Sequence, residues 1–504
     1  MRKSMANKRR WSRRLKGCAA LAALGCAAGG YGCPGAAYAR QNILEGRVSV
    51  GSDYDSNVYK DNADRTGEWK SLVAPELKFS SKGLTDSIML TYAPDFAYNF
   101  RRQADEQDQN LALAAEKGIS SRWKLHLDGN YSAFDRLNFE ANQNLSSAQN
   151  FQRADPATQA EIVRLLFPEL VWDPTTQMGY VVSQFNARYG ASDRNLVNRL
   201  LFEGAGGRQR YLSTSTHLSS EYQFAEKSSL VLGYGFANQD YQTGLLANHT
   251  QQAPSIMVNY QVNQQWRLAA GYDLMFDSYG NPPPGIGTAL NTGDSKTNTP
   301  HLEVEFAISP QNALFWNYRH QQVTFDGNGN DTTNQGGQMG WRHGFDPRTT
   351  LTSALGLNYL SYQTTTPDER EYTLDLGLAR TLEKGSISLT GRGLTADANE
   401  AGGGWGKARQ SWELGASGVY NLAQALSATG RASYGQWDST TLGVSSDYQK
   451  LNVGAGLSYG LNRWLSLSLN YDYYLFDTNS VGLANYSEHL LSLRLTAAKE
   501  LRRW

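Results

Sequence analysis

Lys124, Asp128, Arg267, Asp273, Glu303, Glu305, Arg319, Asp375, Arg392, Glu413, Arg431, Asp472 and Arg494 share one property of position. Each occupies the polar place in a stretch where polar and apolar residues alternate. Side chains of this kind stay charged at neutral pH and exchange with water. Turned into a water-filled lumen, rings of such charge set which solutes pass. Opposite charges on neighbouring strands can instead form ladders of salt bridges that brace a wall, and for each residue singly both readings stand. The signs are mixed, so neither an anion nor a cation preference follows.

Other residues with chemical potential fall short of a site. "DGNGND", from Asp326 to Asp331, has the acidic rhythm of a calcium loop. Its sixth position is Asp331 rather than glycine, and its twelfth is Gly337 rather than a bidentate Glu. A hairpin loop accounts for it. The seven histidines (His126, His217, His249, His301, His320, His343 and His489) form no H-E-x-x-H or similar ligand pair. No serine lies in a G-x-S-x-G context. These residues predict no enzyme, no cofactor, no metal ligand and no catalytic residue; a hydrolase using His with Ser or Asp near a membrane rim is the remotest alternative.

The elements carrying the charges are read from their period. In "RWLSLSLNYDYYLF", Leu465, Leu467, Leu469, Tyr471, Tyr473 and Leu475 share one parity, and Ser466, Ser468, Asn470 and Asp472 the other. "RWKLHLDGNY", "QWRLAAGYDLMF", "HLEVEFAI" and "LNVGAGLSY" repeat the pattern. Strict alternation marks a two-faced strand. A soluble sandwich also alternates, but its strands are most often about five or six residues long. Those here run to roughly 11–15, enough to cross a bilayer when tilted. Tight turns are expected at "FSSKG", "FAEKS", "QVNQQ", "ISPQN", "FDPRT", "LEKG", "NLAQ" and "GLNR". Longer polar links are expected at "DSYGNPPPGIGTALNTGDSKT", "TADANEAGGGWGK" and "WDSTTLGVSSD". Short turns alternating with long loops describe a transmembrane antiparallel β-barrel, turns periplasmic and loops outside. Trp123 and Trp266 would join a periplasmic aromatic belt, unless they are ordinary strand aromatics. The count is about 20 strands, within roughly 18–22. Trp504 resembles the aromatic on which barrels finish, but it is out of phase with Leu491, Leu493 and Leu495.

The ends and the interruption complete the layout. Residues 1–39 carry eight Lys and Arg and no acid, then an Ala/Gly/Leu-rich run and Ala37-Tyr38-Ala39, the form of a cleaved export signal. All three cysteines (Cys18, Cys26, Cys33) lie within it; a lipid anchor at Cys26 and a twin-arginine route are lesser alternatives. Without those residues the chain holds 39 Lys and Arg against 47 Asp and Glu, a net charge of −8, which argues against nucleic acid. No later run of about 18 apolar residues forms a transmembrane helix. Within the barrel of residues 40–504, residues 135–209 break the rhythm. "DPATQAEIVRLLFPEL" and "DRNLVNRLLFEG" each start on an Asp cap and carry apolar residues at helical spacing. This helical insertion is expected to leave from the outer side, as a constriction folded into the mouth or as a surface cap.

"YDSNVY" (Tyr54 to Tyr59) followed by "VAPELKF" (Val73 to Phe79) resembles the outer-membrane β-barrel porins associated with exopolysaccharide and exosortase systems. The resemblance rests on these words and on the repeated-hairpin layout. It implies a porin-like barrel in the bacterial outer membrane, some members serving polysaccharide export, and supplies no catalytic residue. The expected function is passage of a polysaccharide or other hydrophilic solute. Expected partners are outer-membrane lipid, the polysaccharide and periplasmic export components. A structural barrel sheathing or anchoring a periplasmic export or electron-transfer partner is the alternative.

Overall fold

The computed structural model describes residues 40–58, 65–101, 103–137, 208–241, 248–280, 294–326, 331–363, 368–396, 409–441, 444–478 and 485–504, with scattered positions between 159 and 181. Every alternating stretch is an extended strand. The first seven are β1 (Gln41–Asp55), β2 (Glu68–Lys82), β3 (Asp86–Asn99), β4 (Ala104–Ser120), β5 (Trp123–Leu137), β6 (Arg208–Ala225) and β7 (Ser228–Tyr241). Next come β8 (His249–Gln261), β9 (Trp266–Tyr279), β10 (Ser295–Ser309), β11 (Asn312–Phe325), β12 (Thr332–Asp346), β13 (Thr349–Tyr362) and β14 (Glu369–Leu382). The last six are β15 (Gly385–Ala396), β16 (Arg409–Ala423), β17 (Leu426–Thr441), β18 (Val444–Gly460), β19 (Leu465–Thr478) and β20 (Tyr486–Arg503). Each pairs antiparallel with the next, and β1 pairs with β20, which closes a 20-stranded barrel. Closure leaves no edge, the condition a strand must meet inside hydrocarbon.

Turn chemistry fixes one end. The connections at 121–122, 226–227, 310–311, 347–348, 383–384 and 424–425 have two residues each. At two four-residue turns, 262–265 and 461–464, an asparagine does the capping: Asn263 Oδ1 accepts from the backbone N–H of Gln265 and Trp266 (2.8 and 2.9 Å). Asn462 Oδ1 does the same for Trp464 and Leu465 (2.8 and 3.0 Å). Such Asx turns reverse the chain at little steric cost, and they set Trp266 and Trp464 pointing outward at the same end. Gln41 of β1 and Arg503 of β20 lie at this end too. The connections at 56–67, 138–207, 280–294 and 397–408 lie at the other.

Two expectations are corrected. "WDSTTLGVSSD" is not a long link: β17 and β18 run through it, down to the pair Thr441–Val444. Polar residues on both faces are no obstacle where a hairpin stands clear of the bilayer, so loss of alternation there did not mean loss of strand. The phase mismatch at Trp504 is also resolved. The β1–β20 register steps from Glu45–Glu500 to Leu44–Arg502, leaving Leu501 as an extra residue in a β-bulge. A bulge shifts side-chain parity by one. Trp504 then pairs its backbone with Asn42 (N–H to O, 2.9 and 3.0 Å) and stacks outside on Phe79, ring centroids 6.1 Å apart.

The outer face is apolar and uncovered. Leu414, Leu355, Met339 and Tyr372 are 60, 68, 68 and 73 % exposed. Aromatics gather near both ends, with Trp123, Trp266, Phe345, Trp464 and Trp504 at the tight-turn end and Trp69, Phe96, Phe276 and Trp412 toward the other. On β9, Trp266 and Phe276 are separated by roughly 33 Å of strand at about 3.3 Å per residue. With a tilt of about 40°, that gives an apolar band near 25 Å, the height lipid requires.

Asp135–Leu137 and Arg208–Arg210 belong to paired strand, so the interruption begins after Leu137 and ends before Arg208. Within it, Gln159, Ala160, Val163 and Arg164 are helical, in the first stretch read as helix, and Val163 is fully buried. Residues 176–181 are helical as well. Asp173 starts that turn: its Oδ2 accepts from the Thr176 hydroxyl (2.9 Å), and its N–H donates to Gln177 Oε1 (3.1 Å). The second helix read from the sequence, residues 193–204, lies outside the described residues, as do residues 1–39.

Candidate functional site: the inner wall

The parity opposite the exposed apolar residues forms the inner face, and strand pairing arranges its side chains in rows. One row runs Arg267, Glu305, Phe315, Gly340, Ala354, Asp375, Arg392, Glu413, Gly435, Lys450, Phe476, each the register partner of the next. Arg267 lies near the tight-turn end of β9, and Phe476 near the loop end of β19. The row therefore climbs as it circles, as tilted strands demand. Five of the charged residues predicted from sequence lie on this one row.

Most of the predicted residues are paired. Glu305 Oε2 lies 3.9 Å from Arg267 Nη1 and 3.0 Å from Arg342 Nη1. The Arg342 guanidinium in turn sits 5.5 Å from the centre of the Phe315 ring. His301 Nδ1 is 3.3 Å from Asp273 Oδ2, and Arg392 Nε is 3.3 Å from Asp375 Oδ1. Arg431 donates from Nε and Nη2 to Asp472 Oδ1 (2.9 and 2.7 Å). Arg494 reaches Asp53 across the closing seam at 2.5 Å. Lys124, Asp128, Glu303, Arg319 and Glu413 make no ion pair among the described residues.

Several contacts skip a strand, and two of them pass over a glycine. Arg431 on β17 and Asp472 on β19 meet over Gly454 of β18, where a Cβ would lie 2.1 Å from Asp472 Oδ1 and 2.8 Å from Arg431 Nε. Gln338 on β12 and Thr373 on β14 bond at 3.0 Å over Gly356 of β13 in the same way. The polar side chains of these pairs then lie along the wall, over the intervening strand.

Sequence reasoning missed Asp53, Lys70, Glu106, His301 and Arg342 as partners. Lys70 Nζ bonds Glu106 Oε2 at 2.8 Å from two strands away. Alternation places all of them on the wet face, but only register tells which meet. Among the described residues no group of three or more His, Cys, Asp or Glu is placed to hold a metal ion. The β11–β16 part of the wall contains a recess of about 460 Å³, lined by Asp375, Arg392 and Glu413 among others.

No protein-family model and no curated protein sequence matches the chain. Solved structures with the same architecture include the siderophore receptor PirA from Acinetobacter baumannii, at 9 % identity and TM-score 0.51, covering 91 % of this chain and 81 % of that one. A variant of the ferric enterobactin receptor PfeA from Pseudomonas aeruginosa in complex with enterobactin is similar at 10 % identity and TM-score 0.51, with the same coverage. At this identity the likeness shows the fold: a closed, antiparallel, all-β barrel.

Proposed function

We propose that this barrel lies in the bacterial outer membrane, reaches it by a leader removed near Ala39, and passes hydrophilic material through its lumen. A polysaccharide delivered by periplasmic export components is the favoured cargo. The observation that carries the reading is the contrast of the two faces: lipid-sized apolar cover outside, and a climbing row of charge inside. A barrel of about 20 strands encloses enough space for water. Charges folded against the wall leave a polar path along which hydroxyl-rich chains exchange hydrogen bonds with side chains and solvent. Transport is then diffusion or driven threading, without covalent chemistry. The segment between β5 and β6, rooted at the loop end, is the constriction.

Planar bilayers test this. The purified protein should give discrete conductance steps that grow several-fold when residues 138–207 are replaced by a short Gly/Ser linker. Silence in both forms would remove the channel reading and leave a structural sheath in its place. Loss of surface polysaccharide in a deletion strain with normal uptake of small solutes supports export; normal polysaccharide with lost uptake would turn the direction inward.

A further inference from the structure

The recess in the β11–β16 wall brings an apolar floor together with charged and polar side chains. Its floor is apolar and small: Phe315 and Ala354 are 8 and 3 % exposed. Gly377 borders it, and a Cβ there would meet nothing within 4 Å. Asn317 also lines it, and its Oδ1 is buried with no hydrogen-bond partner. A buried acceptor is rarely left without a donor, because the lost hydration is not repaid. Glu413 stands at the rim with no ion pair among the described residues, and Arg392 is held by Asp375. The recess thus offers an apolar floor, a buried acceptor without a donor, and one more negative charge than positive.

We propose that this recess is a binding subsite for one unit of a neutral saccharide, an inference that rests on the passage of a hydrophilic polymer proposed above. A pyranose ring has apolar C–H faces and a rim of hydroxyls. The face fits the Phe315–Ala354 floor, one hydroxyl donates to Asn317 Oδ1, another to Glu413, and Arg392 donates to a ring or hydroxyl oxygen. The volume falls in the range of about 300–1,000 Å³ typical of small-molecule clefts. Surplus negative charge disfavours an acidic sugar. Because the subsite lies on the climbing row, a bound unit sits part-way along the path from one end of the lumen to the other.

Isothermal titration of the full-length barrel in detergent tests this with maltohexaose, cellohexaose and an α-mannohexaose, and with an oligogalacturonate as the acidic control. At least one neutral hexamer should bind, and the acidic one should bind more weakly than it. Gly377→Leu, whose Cβ would meet no atom within 4 Å and whose branch would take up space in the recess, should weaken binding by about tenfold or more, the equivalent of losing about 1.4 kcal/mol. Glu413→Gln, which keeps shape and removes the charge, should weaken it about threefold or more by costing the ligand a charge-assisted hydrogen bond. Absence of binding for every neutral hexamer overturns the subsite, as does unchanged binding in both variants. A barrel that conducts but binds no sugar refutes this inference alone. A silent barrel that binds sugar with the expected variant losses refutes passage and keeps the subsite.

Discussion

Two parts of the inner wall use the same residue types to opposite effect. Along the seam from β17 to β1 two close ion pairs are made, Arg431 with Asp472 and Arg494 with Asp53, whose Oδ1 also accepts from the Ser492 hydroxyl at 2.6 Å. Ser49 and Thr496 hydroxyls bond at 2.9 Å on the same seam. Along β11–β16 the Asp375–Arg392 pair is looser and more exposed, and Glu413 makes no ion pair among the described residues. The difference follows from the small residues. Gly454 lies beneath an ion pair that spans two strands, so its space is filled. Gly377 borders open space, so its surroundings remain a recess. One wall carries close ion pairs; the other keeps the recess beside Asp375, Arg392 and Glu413.

The contrast is sharpest under substitutions that act on one wall only. Gly454→Leu puts carbon where Asp472 Oδ1 already lies, and should cost about 2–3 kcal/mol, in the range of overpacked sites. Urea unfolding of the barrel in detergent, followed by circular dichroism, reads this directly. Arg494→Ala leaves Asp53 with a hydroxyl partner but no cation at the only strand pair that closes the cylinder. A charge-assisted bond of this kind is worth about 1.5–3 kcal/mol, and the same unfolding curve should move by the lower end of that range. Coupling to Asp53→Ala in a double-mutant cycle should recover most of the loss. Arg392→Ala, on the wall with the recess, should shift stability by less than about 0.5 kcal/mol, as exposed pairs do. Its effect should instead appear in the reversal potential under a salt gradient, displaced toward cations because one fixed positive charge has left the lumen. If Arg392→Ala destabilised the barrel as much as Arg494→Ala, the division between the two walls would fail.

Much of this was legible in the residues. Period-two alternation in "RWLSLSLNYDYYLF" and its repeats gave face and length, and the turn residues around Asn263 and Asn462 marked one end. Partners were not legible, because register is a property of two strands and the seam joins residues as distant as Asp53 and Arg494. Trp504 looked out of phase because a bulge leaves no reliable mark in a single strand. The hairpin at Thr441–Val444 was hidden for a different reason: outside the bilayer no face must be apolar, so the signal that finds strands disappears. Asp173-Pro174 repeats the Asp-Pro start used to read a helix at Asp155, and applying the same rule there would have found the turn at 176–181.

The central claim is that hydrocarbon meets one face of every strand and water the other. Since the chain's cysteines all precede residue 40, single cysteines report on this without background from the barrel. Leu469→Cys and Asn470→Cys, adjacent on β19, should be compared in liposomes with a charged, membrane-impermeant maleimide. The account predicts rapid labelling at 470 and near-complete protection at 469. Equal labelling at both positions, or protection at 470 with reaction at 469, would contradict it.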